Sequence, residues 1–551
     1  MTESARPRAR AGGFAALVAA GILLSRLTGL VREKVFAHYF GSTDAAGIYK
    51  AAVRIPNFLQ NLLGEGVLSA SFIPVYARLL AEGDEKLAGR VAGVIAALLA
   101  VVVVTLVALG VIFAPVLLFV IAPGFKGEVR DMTISAVRVL FPGIGLLVLY
   151  AWCLGILNSH HKFFLSYVAP VLMNVTLIST MFVFGHRMSD RSFSFVNAVC
   201  WGYVVGAVVQ FGILVPFVFK YAKHLRFVID TTLEPVREVL RNFTPVLVGR
   251  GVVQLSAYLD SLLASLLGTA AVAALSYAQI IALLPISLFG MSVAAAELPQ
   301  MSSALGTEEE IKAILRRRME RGLRQIAFFV VPSVAAFICI GNVIVAALYQ
   351  GGRFSQNDTR YVWYILIGST VGLLTVTLGR LYSSAFYALR DTRTPLRYAM
   401  IRVALTGVLG YLFALPLRPL LIDALNFAHV PLPMLKEGQK ALGVIALTAT
   451  AGVAGWLEFA LLRHSLAKRI GSVHMRSSYL ARLWTAALVA GISGAVFNNY
   501  ILARIGAHLP RIFPHVRDGL IVCGIFGALY FAVALVLGVP EARATLSRFR
   551  R

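Results

Sequence analysis

Seven cations sit within long apolar runs or at their edges: Arg26, Lys50, Arg54, Arg138, Arg250, Arg380 and Arg402. Lipid does not solvate a guanidinium or an ammonium, so each must face protein, water or a charged ligand. Carboxylates in the same runs are far fewer. The chemistry that fits this imbalance is the holding of an anion. Bond-making chemistry has no comparable support. Cys153, Cys200, Cys339 and Cys523 lack metal or redox spacing, and the ten histidines form no HExxH motif. A phosphate-cradling glycine loop is missing, which argues against an ATP-driven pump. A membrane enzyme acting on prenyl phosphates needs clustered acidic metal ligands or a nucleophile beside a base, whereas Asp131, Asp190 and Asp391 are isolated. No catalytic residue, metal ligand or cofactor is therefore expected.

Helical spacing places the polar residues on faces. In the first run Arg26 and Glu33 are seven apart and share a face, with Arg32 about 120° round. In the second, Gln60, Asn61 and Glu65 interrupt an apolar background, and Pro56, Gly64 and Gly66 weaken local backbone support, as a hinge requires. In the seventh, Arg250, Gln254, Ser261 and Ser265 fall within about 60° of one another, bordered by Tyr258, with Asp260 about 80° away. Such a stripe faces a water-filled cavity or hydrogen-bonds a neighbouring helix, and Arg250 favours the cavity. In the eighth, Gln279 and Glu297 are nearly eclipsed, with Pro285 as a kink between them. Glu297 is expected to pair with Arg250, either as a gating salt bridge or as a static structural pair.

The elements that must position these residues are membrane helices. The chain has 551 residues, of which 58% are hydrophobic and 14% charged, and a mean hydropathy of +0.79. Apolar runs of membrane-crossing length recur throughout without the period-two alternation of barrel strands. The fold class is an all-α polytopic membrane protein of about fourteen transmembrane helices. They are expected at 11–38, 45–78, 89–121, 133–157, 164–185, 193–219, 236–267, 271–303, 323–349, 359–388, 396–417, 440–463, 479–500 and 518–539. The net charge of +25 does not indicate nucleic acid, because the basic residues cluster in alternate short loops. With the N-terminus inside, the inside loops carry roughly twice the Lys and Arg of the outside ones, and an even span count returns the C-terminus to the cytoplasm. The basic tail Arg543, Arg548, Arg550 and Arg551 suits anionic lipid. The first run, carrying Arg26, is expected to be retained and not cleaved as a signal peptide. The segment Glu308 to Arg324 is expected to lie along the cytoplasmic surface as a helix or to be a solvated connector. A weak repeat relates Gly64–Pro74 to Gly290–Pro299, each after a proline-interrupted helix. It divides the chain into an N-terminal lobe at 1–222, a C-terminal lobe at 223–466 and two further helices with a basic tail at 467–551.

An ordered series of motifs carries a family resemblance. Ser25-Arg26-Leu27-Thr28-Gly29-Leu30-Val31-Arg32-Glu33 is followed by Arg54-Ile55-Pro56-Asn57, Glu65-Gly66, Phe72-Ile73-Pro74, Ala122-Pro123-Gly124-Phe125 and Phe141-Pro142. Gly155-Ile156-Leu157-Asn158, Ala169-Pro170-Val171-Leu172-Met173-Asn174, Gly352-Arg353-Phe354 and Phe386 through Pro395 complete it. The set resembles the MurJ (MviN) family of lipid II flippases, in the MOP exporter superfamily. The resemblance implies two six-helix lobes around a central cavity, with helices 13 and 14 forming a groove for a prenyl tail. It implies movement of undecaprenyl-diphosphate-linked peptidoglycan precursor to the outer leaflet of the bacterial inner membrane by alternating access. Arg26 and Arg32 match family cavity arginines, and Arg26, Arg32, Arg54 and Arg250 are the expected binders of the diphosphate-sugar headgroup. Glu33, Glu65, Asp260, Gln279 and Glu297 are the gating or coupling candidates. Pro56, Gly64, Gly66 and Pro285 are the hinge candidates. The chain departs from the pattern at Gln60 and Asn61, where arginines are frequent, at Gly47, where an acidic residue is frequent, and at Gln279, Ile280 and Leu283. The expected partners are lipid II and anionic lipids, with no nucleic acid. A monomer is expected, driven by membrane potential, with any coupling ion unidentified and association with cell-wall synthesis machinery left open. The alternatives are a MOP-type exporter of another lipid-linked oligosaccharide or drug, and a non-transporting lipid II-binding scaffold.

Overall fold

The computed structural model describes residues 6–188, 192–303, 307–427, 439–502, 504 and 513–549. Side chains are described for all of these except 6–19, 192, 244–246, 248–257, 424, 425, 427, 439–441, 546, 548 and 549. Two compact units, Met1–Ala270 and Ala271–Arg551, are built almost wholly from helices.

Unit 1 opens with α1 (Arg6–Phe40), α2 (Asp44–Leu63), α3 (Glu65–Ala81), α4 (Glu85–Ile112) and α5 (Ala114–Ile121). It continues with α6 (Gly127–Ser159), α7 (Phe163–Met188), α8 (Ser192–Gly212), α9 (Val215–Tyr221) and α10 (Glu234–Leu267). α6 is the hub, packed against α2, α3, α4 and α8, while α1 lies along α7. The second apolar run is not one helix. Gly64 leaves helical geometry (φ −79°, ψ −154°), separating α2 from α3. A Cβ at Gly64 would lie 2.2 Å from the Gln60 carbonyl oxygen, so this break depends on glycine.

Unit 2 contains α11 (Thr269–Pro285), π1 (Ile286–Met291), α12 (Ser292–Ser302), α13 (Glu308–Cys339), α14 (Gly341–Tyr349) and α15 (Gln356–Ala388). After it come α16 (Arg393–Ala414), α17 (Arg418–Phe427), α18 (Gln439–Ile470), α19 (Ser477–Val496), π2 (Phe497–Leu502), α20 (Pro514–Val536) and α21 (Pro540–Phe549). α15 packs against α13 and α18, and α19 and α20 pair with each other beside α13 and α14. Pro285 has no N–H to offer the preceding turn, and the helix widens into π1 immediately after it. The motif Gly352-Arg353-Phe354 is a tight turn with φ of 144° at Gly351 and 57° at Gly352, which buries Phe354 against Tyr277 and Tyr349.

Eleven helices, among the described residues, are long and apolar enough to cross a membrane. The three expected spans outside that set are 11–38, 45–78 and 236–267. Charge and the Gly64 break disqualify the second, and the side chains of the other two are only partly described. The compact units divide at Ala270, with α10 packed on α2 to α5. The segment from Glu308 is neither a separate surface helix nor a connector. It is the first half of α13, started by a capping box between Thr307 and Glu310 and continued because Leu315, Met319 and Leu323 extend one buried face into the apolar run.

Candidate anion site in unit 1

Helical spacing builds the site. Lys50, Arg54 and Asn57 follow at i, i+4 and i+7 on α2, so they share a face. Arg32, Glu33 and Phe36 present the facing side of α1. The Glu33 carboxylate is buried and takes two cations at once: Arg32 Nη2 at 2.8 Å and Lys50 Nζ at 2.5 Å. Arg32 Nη1 donates to Asn174 Oδ1 on α7 at 3.0 Å, and Asn174 Nδ2 donates to Thr28 Oγ1 at 3.1 Å. Lys50 Nζ also stands 4.5 Å from the Phe36 ring centroid. Arg54 faces Asp260 electrostatically and lies over the Tyr258 ring at 5.8 Å, while the Tyr258 hydroxyl donates to the Arg54 carbonyl at 2.8 Å. These groups border a cavity of about 200 Å³, into which Arg32, Lys50, Arg54 and Asn57 all project. Asn57 Oδ1 is buried there without a hydrogen-bond partner among the described residues. One carboxylate against two cations leaves a local positive excess, which is suited to a phosphate-type anion.

The structure brings together Arg32, Glu33, Arg54 and Asp260 of the expected site, and adds Lys50, Asn57 and Asn174. Lys50 was visible as an intramembrane cation, and its helical register with Arg54 was the signal that assigns it. Arg26 is exposed and does not line the cavity. Glu65 is exposed at the start of α3, with Gly66 beside it, and Pro56 is buried within α2. The Arg250 and Gln254 side chains lie outside the described residues. Of the rest of that polar stripe, Ser265 Oγ accepts from the Gly124 N–H at 3.3 Å, and Ser261 Oγ is buried without a hydrogen-bond partner among the described residues. Gln279 is half-buried on α11. Glu297 is buried and has an ion-pair partner other than the expected one: Arg318 of α13 donates to it at 3.1 Å. Arg318 belongs to the basic run that the surface-helix expectation had set apart from the membrane bundle.

Gly47 explains one departure from the family pattern. A Cβ there would lie 2.2 Å from the Thr269 carbonyl oxygen, so α2 abuts Thr269 only because residue 47 has no side chain. Asp44, one turn earlier, accepts a hydrogen bond from the Thr269 hydroxyl instead.

Comparison with known proteins agrees with this architecture. A family model described as lipid II flippase MurJ matches residues 36–428. The lipid II flippase MurJ of Burkholderia cenocepacia is 28% identical over 94% of this chain and 96% of its own length. A probable lipid II flippase MurJ of Rhizobium tropici is 29% identical over 97% of this chain and 96% of its own. Among solved structures, a lipid II flippase MurJ in an inward closed conformation superposes with a TM-score of 0.71 at 22% identity, covering 94% of this chain and 100% of that one. An inward-facing multidrug resistance MATE family transporter of the MOP superfamily gives 0.59 at 20% identity, covering 82% and 98%. With a family match over most of its length and eleven membrane-crossing helices, the chain is a multi-pass membrane protein that belongs to the lipid II flippase MurJ family.

Proposed function

We propose that this protein is a lipid II flippase, moving the undecaprenyl-diphosphate-linked peptidoglycan precursor from the inner to the outer leaflet of the bacterial cytoplasmic membrane by alternating access. The observation that carries this reading is the cation-rich cavity of unit 1 in a chain of this family. A diphosphate carries about two negative charges and matches guanidinium and ammonium donors. Arg32 is held through one Nη by Asn174 and through the other by Glu33. An arriving phosphate oxygen competes with Glu33 for Arg32 and Lys50 without moving either helix. Arg54 is the next donor along α2, and Arg26 and Arg250 are further headgroup contacts in this reading. Glu33, Glu65, Asp260, Gln279 and Glu297 serve gating or coupling, and Pro56, Gly64, Gly66 and Pro285 serve as hinges. The prenyl tail stays in lipid along helices α19 and α20. Both termini face the cytoplasm, the basic C-terminal segment meets anionic lipid, and the working unit is a monomer driven by membrane potential.

The test is complementation of cells depleted of their own lipid II flippase, scoring lipid II on the outer face at matched membrane levels of protein. Wild type is expected to restore exposure, and Arg54→Ala to lose it by at least about tenfold, the usual scale for a charged hydrogen-bonding contact. Absence of exposure from well-inserted wild type, in a host whose lipid II it is shown to bind, refutes the proposal.

A further inference from the structure

Unit 2 holds a second, larger polar cavity of about 430 Å³. It lies where α14 ends, α15 begins, π2 ends α19 and α20 starts, so four elements converge on one end of this bundle. Its volume falls within the roughly 300–1,000 Å³ range of small-molecule sites. Its chemistry differs from that of the anion site. Side-chain amides are its most numerous polar groups, with Asn342, Gln356, Asn498 and Asn499 contributed by three elements and Gln350 beside them, while Arg360, His515 and Asp518 supply the ionisable groups. Each amide both donates and accepts while carrying no charge. Asn498 Nδ2 donates to Asn499 Oδ1 at 3.0 Å, which leaves Asn498 Oδ1 and the Asn499 NH₂ without partners among the described residues. Both asparagines sit in a π turn, an irregularity that accompanies binding sites more often than plain helix does.

An aromatic wall completes the site. The Trp363 and Tyr364 rings stand 5.2 Å apart and 21° from parallel. Trp363 Nε1 donates to the Phe337 carbonyl at 2.9 Å, fixing its ring, and Gly341 permits the close approach. Neutral amides with an amphipathic aromatic surface suit a sugar, whose hydroxyls need two-way hydrogen bonds and whose C–H face packs on a ring. Arg360, on the same cavity, adds a donor for a carboxylate.

We propose that this cavity binds an N-acetylated amino sugar, with the asparagine and glutamine amides pairing its acetamido groups and Trp363 and Tyr364 carrying its ring. The proposal rests on the flippase reading for the source of the glycan. With cytoplasmic termini, this end of unit 2 faces outward, where the headgroup sugars of the exported lipid emerge.

The experiment titrates full-length protein in nanodiscs with di-N-acetylchitobiose and, in parallel, cellobiose, which has the same linkage without acetamido groups. Saturable chitobiose binding in the millimolar range, about tenfold tighter than cellobiose, is expected, because each acetamido group adds paired hydrogen bonds. Asn499→Leu should weaken chitobiose by about tenfold, whereas Glu309→Gln, exposed at the start of α13, should leave it unchanged. Absence of saturable binding by wild type, or equal binding of the two sugars, overturns the site whether or not any variant folds. Wild type that exposes lipid II yet ignores chitobiose removes this site and leaves the function. Wild type that binds chitobiose but never exposes lipid II keeps the amino-sugar site and removes the flippase reading.

Discussion

Glu33 is the residue on which the unit 1 site turns, because a single buried carboxylate holds two cations in register. Removing it leaves Arg32 and Lys50 facing each other across a poorly solvated space. Glu33→Gln is expected to destabilise the protein by about 3 kcal/mol, the scale for breaking a buried pair from one side. Lys50→Met should cost less, since Arg32 still satisfies the carboxylate. In a double-mutant cycle read by thermal unfolding, Glu33→Gln with Lys50→Met should show a coupling above about 1 kcal/mol. Additive losses would mean that the 2.5 Å contact contributes nothing of its own. The same scale shows what the sequence made legible. Arg32, Glu33 and Arg54 were readable because charge in an apolar run is costly and must be placed. The Glu297 to Arg318 pair was not, because no periodicity links α12 to the basic first half of α13. Arg26 was readable as a charge but not as an exposed one, since spacing gives a face and not what lies opposite it.

At the scale of elements, the turn from α15 into α16 gives the motif from Phe386 to Pro395 a structural basis. Arg390 adopts a left-handed φ of 59°, and Asp391 then accepts from the backbone N–H groups of Arg393 and Thr394, each at 3.0 Å. Its other oxygen takes the Thr394 hydroxyl at 2.7 Å and Arg469 Nη2, at the end of α18, at 2.5 Å. The Thr394 hydrogen bonds, helped by Arg469, hold the Asp391 carboxyl below its ordinary value of 3.8. A depressed folded-state value means that the stabilisation is complete above the unfolded value and is lost as pH falls through the folded one. The unfolding midpoint should therefore carry an Asp391 contribution that is constant at neutral pH and disappears only below about pH 3.8. Asp391→Asn should be less stable than wild type at pH 7 and should converge on it in acid. A constant gap at all pH values would exclude the mechanism. The helices themselves were largely legible, for apolar runs must become helices in lipid. The break at Gly64 was legible only as weakness, since its ψ depends on the Gln60 carbonyl one turn away. Gly64→Ala should force that contact apart and lower lipid II exposure at unchanged membrane level, whereas unchanged exposure would remove the break from the transport cycle.

At the scale of the whole molecule, the proposed export of an anion through a cation-rich interior, in a chain of net charge +25, predicts that the bilayer potential contributes to the driving force. A headgroup bearing about two negative charges gains about 4.6 kcal/mol on crossing a 100 mV inside-negative membrane outward, at about 2.3 kcal/mol per charge. In the proposed cycle the site's positive charge travels out with the headgroup and returns without it, so that gain is shared between the loaded step and the return step. Purified protein in proteoliposomes, with the potential clamped by a potassium gradient and ionophore, should move lipid II outward faster when the interior is negative and slower when the sign is reversed. Equal rates at both signs would mean that a compensating cation travels with the anion or that the rate-limiting step moves no net charge. Repeating the measurement with Lys50→Met separates these cases. A site charge that moves with the potential changes the voltage dependence when it is deleted, whereas a neutral step does not.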